Sequence, residues 1–240
     1  MNFTFAPHVG CYYGKPESLF NKRILVVGAS HYHYCEKCMR KYVIFDNGKY
    51  KKTQNGAHLI CFCDSPELER EFTRDVVNDH LNVKSLIGYT KFTNAVLHPE
   101  INSSEDERQA FFSSVIFYNY LQEFEGVDSR DQHPEKFCDE KRKKRDLSLF
   151  KKILSTYSPE IVLIWGDNVW MKAMPTNLGY GDYQHVDDSA ITLKDRIWDY
   201  PFLENNIRFC ACVHPSYPSF TKEEYRQHHQ MFDLCGIKVK

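Results

Sequence analysis

RILVVGASHYHY, residues 23 to 34, opens with four apolar residues and closes by placing two histidines and two tyrosines in one turn. Ile24–Val27 reads as a buried strand: the run is short, β-branched and ended by Gly28 and Ala29. Three more runs have the same character: Val115–Tyr118, Ile161–Trp165 and Ile207–Val213. None alternates strictly, which suits parallel strands covered on both faces. Helical patterns lie between them. SPELEREFTRDVVNDHL offers Ser65 as N-cap, Pro66 at the first helical position and acids in the first turn. SSEDERQAFF begins in the same way. EKRKKRDLSLFKKILSTY puts Leu147, Phe150, Ile153 and Leu154 on one face, with Pro159 soon after. Strands alternating with helices predict an α/β fold, a three-layer sandwich around a mostly parallel four-stranded core sheet.

Two segments interrupt the alternation within what reads as a single domain over residues 1–240. Residues 35–63 form a small cysteine-bearing insert, with a hairpin expected around Asp46-Asn47-Gly48. Residues 176–204 are polar, glycine-bearing and weakly periodic, and read as a long surface excursion near the site.

The charge balance limits the functions open to the chain. With 31 basic and 32 acidic residues the net charge is -1, so no global field attracts nucleic acid and any such binding rests on a local patch. A hydrophobic content of 42% and a charged content of 26% fit an ordinary globular protein. No apolar run approaches the roughly 20 residues of a membrane span. MNFTFAPHVGCYYGK lacks a basic start followed by an apolar core, so a cytoplasmic location is expected. Nine cysteines are present. In a reducing compartment clustered ones point to metal or chemistry, and isolated ones behave as small apolar residues. Cys11, Cys138, Cys210, Cys212 and Cys235 fall in the second group.

Ligands of open parallel sheets bind at the carboxyl ends of strands. Those ends read GASHYHY, FYNYLQ with Asn119, WGDNVW, and VHPSYPSF with His214. Singly, each polar residue is a cap or a turn residue; together they outline one cleft.

The order and spacing of these four motifs resemble the uracil-DNA glycosylase superfamily. Gly28-Ala29-Ser30-His31-Tyr32-His33 keeps in register the glycine, tyrosine and last histidine of a Gly-Gln-Asp-Pro-Tyr-His motif. SVIFYNY offers Asn119 where a base-reading asparagine stands. SPEIVLIWGDNVW is similar to the third strand, and His214-Pro215-Ser216 to the last motif. EFTRDVVNDHL resembles a Phe-Thr-Gly-Asp helix start of another branch. The likeness spans about Lys22 to Phe232. It is nearest to a bacterial glycosylase-like subgroup that often carries Gly-Glu-Ser-His-Tyr, from which Ala29 departs.

The resemblance implies hydrolysis of a base–sugar bond in DNA after the nucleotide is flipped out of the stack, which costs about a few kcal/mol. His214 then stabilises the leaving anion and Asn119 reads the base edge. Gly28, Ala29, His31, Tyr32 and Ser216 line the pocket. Ser30 stands where one branch has an aspartate, and Asp75 is the best carboxylate for holding water. Tyr217 or Phe220 is the expected wedge into the minor groove. Lys141–Arg145 is the densest positive charge, with phosphate contact and a solvated helix face both open. Cys35, Cys38, Cys61 and Cys63 have the types and nearly the spacing of a tetrahedral zinc site, favoured over unligated thiols or an iron–sulfur cluster. Two other readings stay open: a non-catalytic binder of nucleic acid or modified bases, and an enzyme acting on free nucleosides or nucleotides.

Overall fold

The computed structural model describes residues 5–29, 31–32, 44–46, 49–51, 73–74, 76–77, 87–122, 124–125, 140–166, 169, 184–185, 197–202, 205–218 and 220–240. The expected class holds: the chain is α/β. Its main sheet is mixed and wider than the sequence implies. In chain order the strands are β1 (His8–Val9), β2 (Ile24–Gly28), β3 (His31–Tyr32), β4 (Ile44–Asp46), β5 (Lys49–Lys51), β6 (Ile116–Asn119), β7 (Phe124–Glu125), β8 (Ile161–Trp165), β9 (Gln184–His185), β10 (Ile197–Phe202) and β11 (Asn205–Cys212). The helices are α1 (Ile87–Leu97), α2 (Glu105–Ser114), α3 (Glu140–Tyr157) and α4 (Lys222–Leu234). Thr73, Arg74, Val76 and Val77 are also helical.

Seven strands join the main sheet in the order β1-β6-β2-β8-β11-β10-β9. The pairings β6–β2, β2–β8 and β8–β11 are parallel, whereas β1–β6, β11–β10 and β10–β9 are antiparallel. Strand periodicity explains how both faces are used. Ile24, Val26, Phe117, Leu163 and Trp165 point to one side, where Phe92 and Val96 of α1, Phe111 and Phe112 of α2, and Met231 and Phe232 of α4 cover them. Leu25, Val27, Ile116, Tyr118, Val162 and Ile164 point to the other, against Phe150, Ile153 and Leu154 of α3. α2 starts as its sequence predicts: Ser104 accepts from the Glu107 N–H, and the Glu107 carboxylate accepts from the Ser104 N–H at 2.7 Å.

Residues 176–204 are not wholly a surface excursion. β10 lies within them and forms a hairpin with β11, burying Ile197, Tyr200 and Phe202. The polar Asp199 that disguises this strand faces Arg208 across the ladder and accepts two bonds of 2.6 Å from its guanidinium. β4 and β5 pair antiparallel as the hairpin reading requires, with Asp46 opposite Lys49. Cys210, Cys212 and Cys235 are buried, but Cys11 is exposed, contrary to its reading as a small core residue. None of the described helices is long and apolar enough to cross a membrane.

Candidate active site

The chain leaves β2 for β6 on one side and later places β8 on the other, so the strand order reverses between β2 and β8. A crevice opens at the carboxyl ends of strands around such a point. Both strands end in glycine there. Gly28 closes β2 in register with Asn119 of β6. A Cβ on Gly28 would run into the Asn119 carboxamide oxygen and come within 3.0 Å of Phe117 Cζ. Gly166 follows β8 with φ of +85°, which few residues but glycine adopt, and a Cβ there would stand 3.2 Å from His214 Cβ. Asn119 and His214 therefore lean over the two glycine ends from opposite flanks.

Asn119 is buried. Its backbone is tied down by Gln122, whose side-chain amide donates to the Asn119 carbonyl at 3.0 Å. Beyond the register pair, the N–H groups of Tyr120 and Leu121 donate to the carbonyls of Gly28 and Ala29, both at 2.9 Å. The ladder thus continues past the strands and fixes Ala29 beside the crevice. β3 and β7 then pair in parallel, with His31 opposite Phe124 and Tyr32 opposite Glu125.

His214 is partly buried, and its ring meets Trp165 edge-on at 6.2 Å and Tyr217 at 5.4 Å. The Ser216 N–H donates to His214 Nδ1 at 3.2 Å. With Nδ1 accepting, the proton of the neutral ring sits on Nε2. Burial also lowers the His214 pKa below the ordinary histidine value, which favours that neutral form. The loop is braced from two sides. Ser216 lies against the start of α1, where a Cβ on Gly88 would stand 2.6 Å from Ser216 Oγ. On the other side His228 of α4, fully buried, accepts from the Val213 N–H at 3.0 Å and donates through Nδ1 to the Glu224 carbonyl at 2.7 Å.

Among the expected site residues, Gly28, Ala29, Asn119, His214, Ser216 and Tyr217 all lie at this carboxyl edge, and Tyr217 is exposed at 49%. Phe220 does not serve as a wedge. It is 1% exposed and packs on Tyr225 and His228 at 5.2 and 5.0 Å, so presenting it to a groove would unpack the core. Ser30, Asp75, Cys35, Cys38, Cys61 and Cys63 lie outside the described residues, and of His31 and Tyr32 only the backbone is described. Among the described residues no group of three metal-ligating side chains is close enough to hold an ion.

Sequence reading missed Gly166, Trp165 and His228. WGDNVW did carry a signal for the first two, because a glycine directly after a buried parallel strand marks a backbone that something approaches closely. His228 is one histidine in a polar helix, and nothing local distinguishes it. A recess of about 290 Å³ lies beside β1, lined by His8, Arg74, Gln109 and Phe112 among others. No family model matches the chain, and no curated protein matches it either.

Proposed function

We propose that this protein is a monofunctional DNA glycosylase that hydrolyses the bond between deoxyribose and uracil, or another altered base, after flipping the nucleotide into the crevice. The observation that carries the reading is the state of His214: Nδ1 is occupied by the Ser216 N–H and burial disfavours the charged ring, which leaves a neutral Nε2–H donor. Bond cleavage puts negative charge on the base and positive charge on the sugar. A fixed donor aimed at a base oxygen stabilises that anion, and one such donor contributes about 3 kcal/mol in comparable sites. Asn119 offers a donor and an acceptor in a buried setting, the pairing needed to read an amide-like base edge. Ala29, His31, Tyr32 and Ser216 bound the pocket in this reading, and Tyr217 is the exposed ring available to fill the gap in the duplex. Asp75 is the residue assigned to hold the attacking water, and Ser30 is the second candidate for that role. Cys35, Cys38, Cys61 and Cys63 brace the first-motif turn through structural zinc, and the protein works on DNA in the cytoplasm.

The test is base release from duplexes carrying single altered bases, scored as alkali-labile abasic sites. His214→Ala lowers the single-turnover rate by about 10²–10³-fold. DNA affinity changes far less, since phosphate contacts supply most of it. Asn119→Ala broadens or abolishes base choice. Asp75→Asn lowers rate while keeping binding; full activity in that variant removes Asp75 from the mechanism. One observation favours a second reading: Ala29 and Ser30 stand where related first motifs carry a carboxylate. If the wild type releases no base, the protein is a binder of altered bases, and His214→Ala then weakens a base-dependent affinity.

A further inference from the structure

Cys210, Cys212 and Cys235 belong to one core cluster, and two of them meet. Cys210 lies in β11, and Cys235 caps the carboxyl end of α4. Both are buried, and their sulfurs stand 3.1 Å apart. A disulfide holds its sulfurs at about 2.05 Å, so an approach of about 1 Å makes the bond.

The surroundings keep the two elements in that position through bonds that involve no sulfur. Arg208, two residues before Cys210 on the same strand, donates from Nη1 to the Leu234 carbonyl at 3.1 Å. Its other nitrogens bond Asp199, which fixes the guanidinium. Beyond Cys235 the chain turns at Gly236, where φ is +72°, and the Ile237 N–H returns to the Phe232 carbonyl at 3.1 Å. The Arg208 charge acts on both sulfurs, and a cation beside a thiol favours the thiolate that reacts. Burial pushes the Cys210 thiol up. Cys235 lies between the partly exposed Leu234 and Gly236, so it is the sulfur that a small reagent meets first.

We propose that hydrogen peroxide converts Cys210 and Cys235 into a reversible disulfide that ties α4 to β11. The Cys235 thiolate attacks one peroxide oxygen and the O–O bond breaks. The departing hydroxide takes up the proton the thiol had lost and becomes water, leaving Cys235 as a sulfenic acid. The Cys210 sulfur then attacks the Cys235 sulfur, the S–O bond breaks, and the departing hydroxide leaves as water with the Cys210 proton. Two thiols and one peroxide give one disulfide and two waters.

The tie matters because of what the two elements carry. β11 runs through Cys212 into Val213, directly before His214, and α4 carries His228, which accepts from the Val213 N–H. The disulfide joins the same strand and helix as that hydrogen bond, but with a covalent link. It spans 25 residues of sequence, and closing a loop of that length slows the opening of α4 from β11 by about 10²-fold.

The experiment treats the full chain, reduced and then freed of reductant, with a small excess of hydrogen peroxide. Remaining thiols are capped with N-ethylmaleimide in denaturant, and the unreduced peptides are mapped by mass spectrometry. The expected product is a peptide pair joined through Cys210 and Cys235, which dithiothreitol separates. Amide hydrogen exchange is the second readout. The Val213 N–H should exchange about 10²-fold more slowly after oxidation, and Cys235→Ser should abolish that slowing. The control Cys11→Ser removes an exposed thiol and should leave both results as they are. The mapping uses the wild type, so it stays decisive even where Cys235→Ser fails to fold. Recovery of Cys210 and Cys235 as maleimide adducts or as sulfinic or sulfonic acids overturns the disulfide, and so does a link from Cys210 to any other cysteine. An unchanged Val213 exchange rate in protein that carries the mapped link overturns the tie between α4 and β11.

Discussion

Replacing His228 by leucine isolates what holds the His214 loop in place. The imidazole is fully buried, with its Nε2 taken by the Val213 N–H and its Nδ1–H given to the Glu224 carbonyl. Leucine is close in volume and apolar, so the packing against Phe220 and Phe232 is largely kept. The loss is polar. The Val213 N–H is left without its acceptor, at about 1–3 kcal/mol. The Glu224 carbonyl retains its helical bond from the backbone of residue 228, so losing the second partner costs only about 0.5–1.5 kcal/mol. The sum is about 1.5–4.5 kcal/mol, measured as a fall in urea unfolding free energy. The second consequence is local. Val213 precedes His214, so the His214 imidazole resonances should shift in the leucine variant. His228→Gln, whose carboxamide oxygen can accept from Val213, should recover about half of the stability and most of the resonance position. A stability loss below about 0.5 kcal/mol, with His214 resonances unmoved, would show that the histidine braces nothing.

Burial lowers the pKa of both His8 and His214 from the ordinary 6.5, and His8 is additionally held down by the charge of Arg74. The unfolded chain then takes up protons first as pH falls, so the stability these groups contribute is full above pH 6.5 and is lost as pH drops through their lowered folded values. Unfolding free energy measured from pH 8 to 5 should fall on the acid side, and His8→Asn should flatten that fall; a rise on acidification would reverse the assignment. Phe220→Ala should cost about 3–5 kcal/mol in thermal or urea unfolding, as for other fully packed rings, with DNA affinity of the folded protein little changed; a variant of normal stability that binds DNA poorly would restore its role as a wedge. Elemental analysis should find about one zinc per chain, following the tetrahedral four-thiolate arrangement, and metal-free, folded, chelator-insensitive protein would remove the zinc site.

The α/β class was legible because β2, β6 and β8 are mostly apolar runs, as is the later part of β11 apart from Arg208, with helical patterns between them. α3 was legible from its spacing alone. β10 was not: IWDYPF contains an aspartate and a proline, and only the cross-strand Arg208 makes Asp199 acceptable there. α1 was missed for a related reason. IGYTKFTNAVL is rich in glycine, threonine and aromatics, poor helix formers that packing against the sheet overrides. At the edge, Asn119 and His214 were findable because one closes β6 and the other stands two residues past the end of β11. Phe220 was misplaced because its proximity in sequence to an exposed loop says nothing of which way its ring turns. The brace by His228 depends on a contact across fifteen residues that no local pattern encodes.

The bare ends of β2 and β8 bear on how such a crevice changes over generations. While position 119 carries a small side chain, a Cβ at residue 28 meets only Phe117 Cζ at 3.0 Å, whereas a Cβ at residue 166 stands 3.2 Å from the Cβ of residue 214. Once Asn119 overhangs residue 28, a methyl group at that position strikes the carboxamide, and one at 166 crowds His214 Cβ and demands a backbone angle that other residues resist. The glycines are then entrenched by their neighbours rather than by any chemistry of their own. A lineage that abandons the chemistry can refill the floor of the crevice only after the overhanging residues have been lost, so the order of loss runs from the polar pair to the glycines and does not readily run the other way.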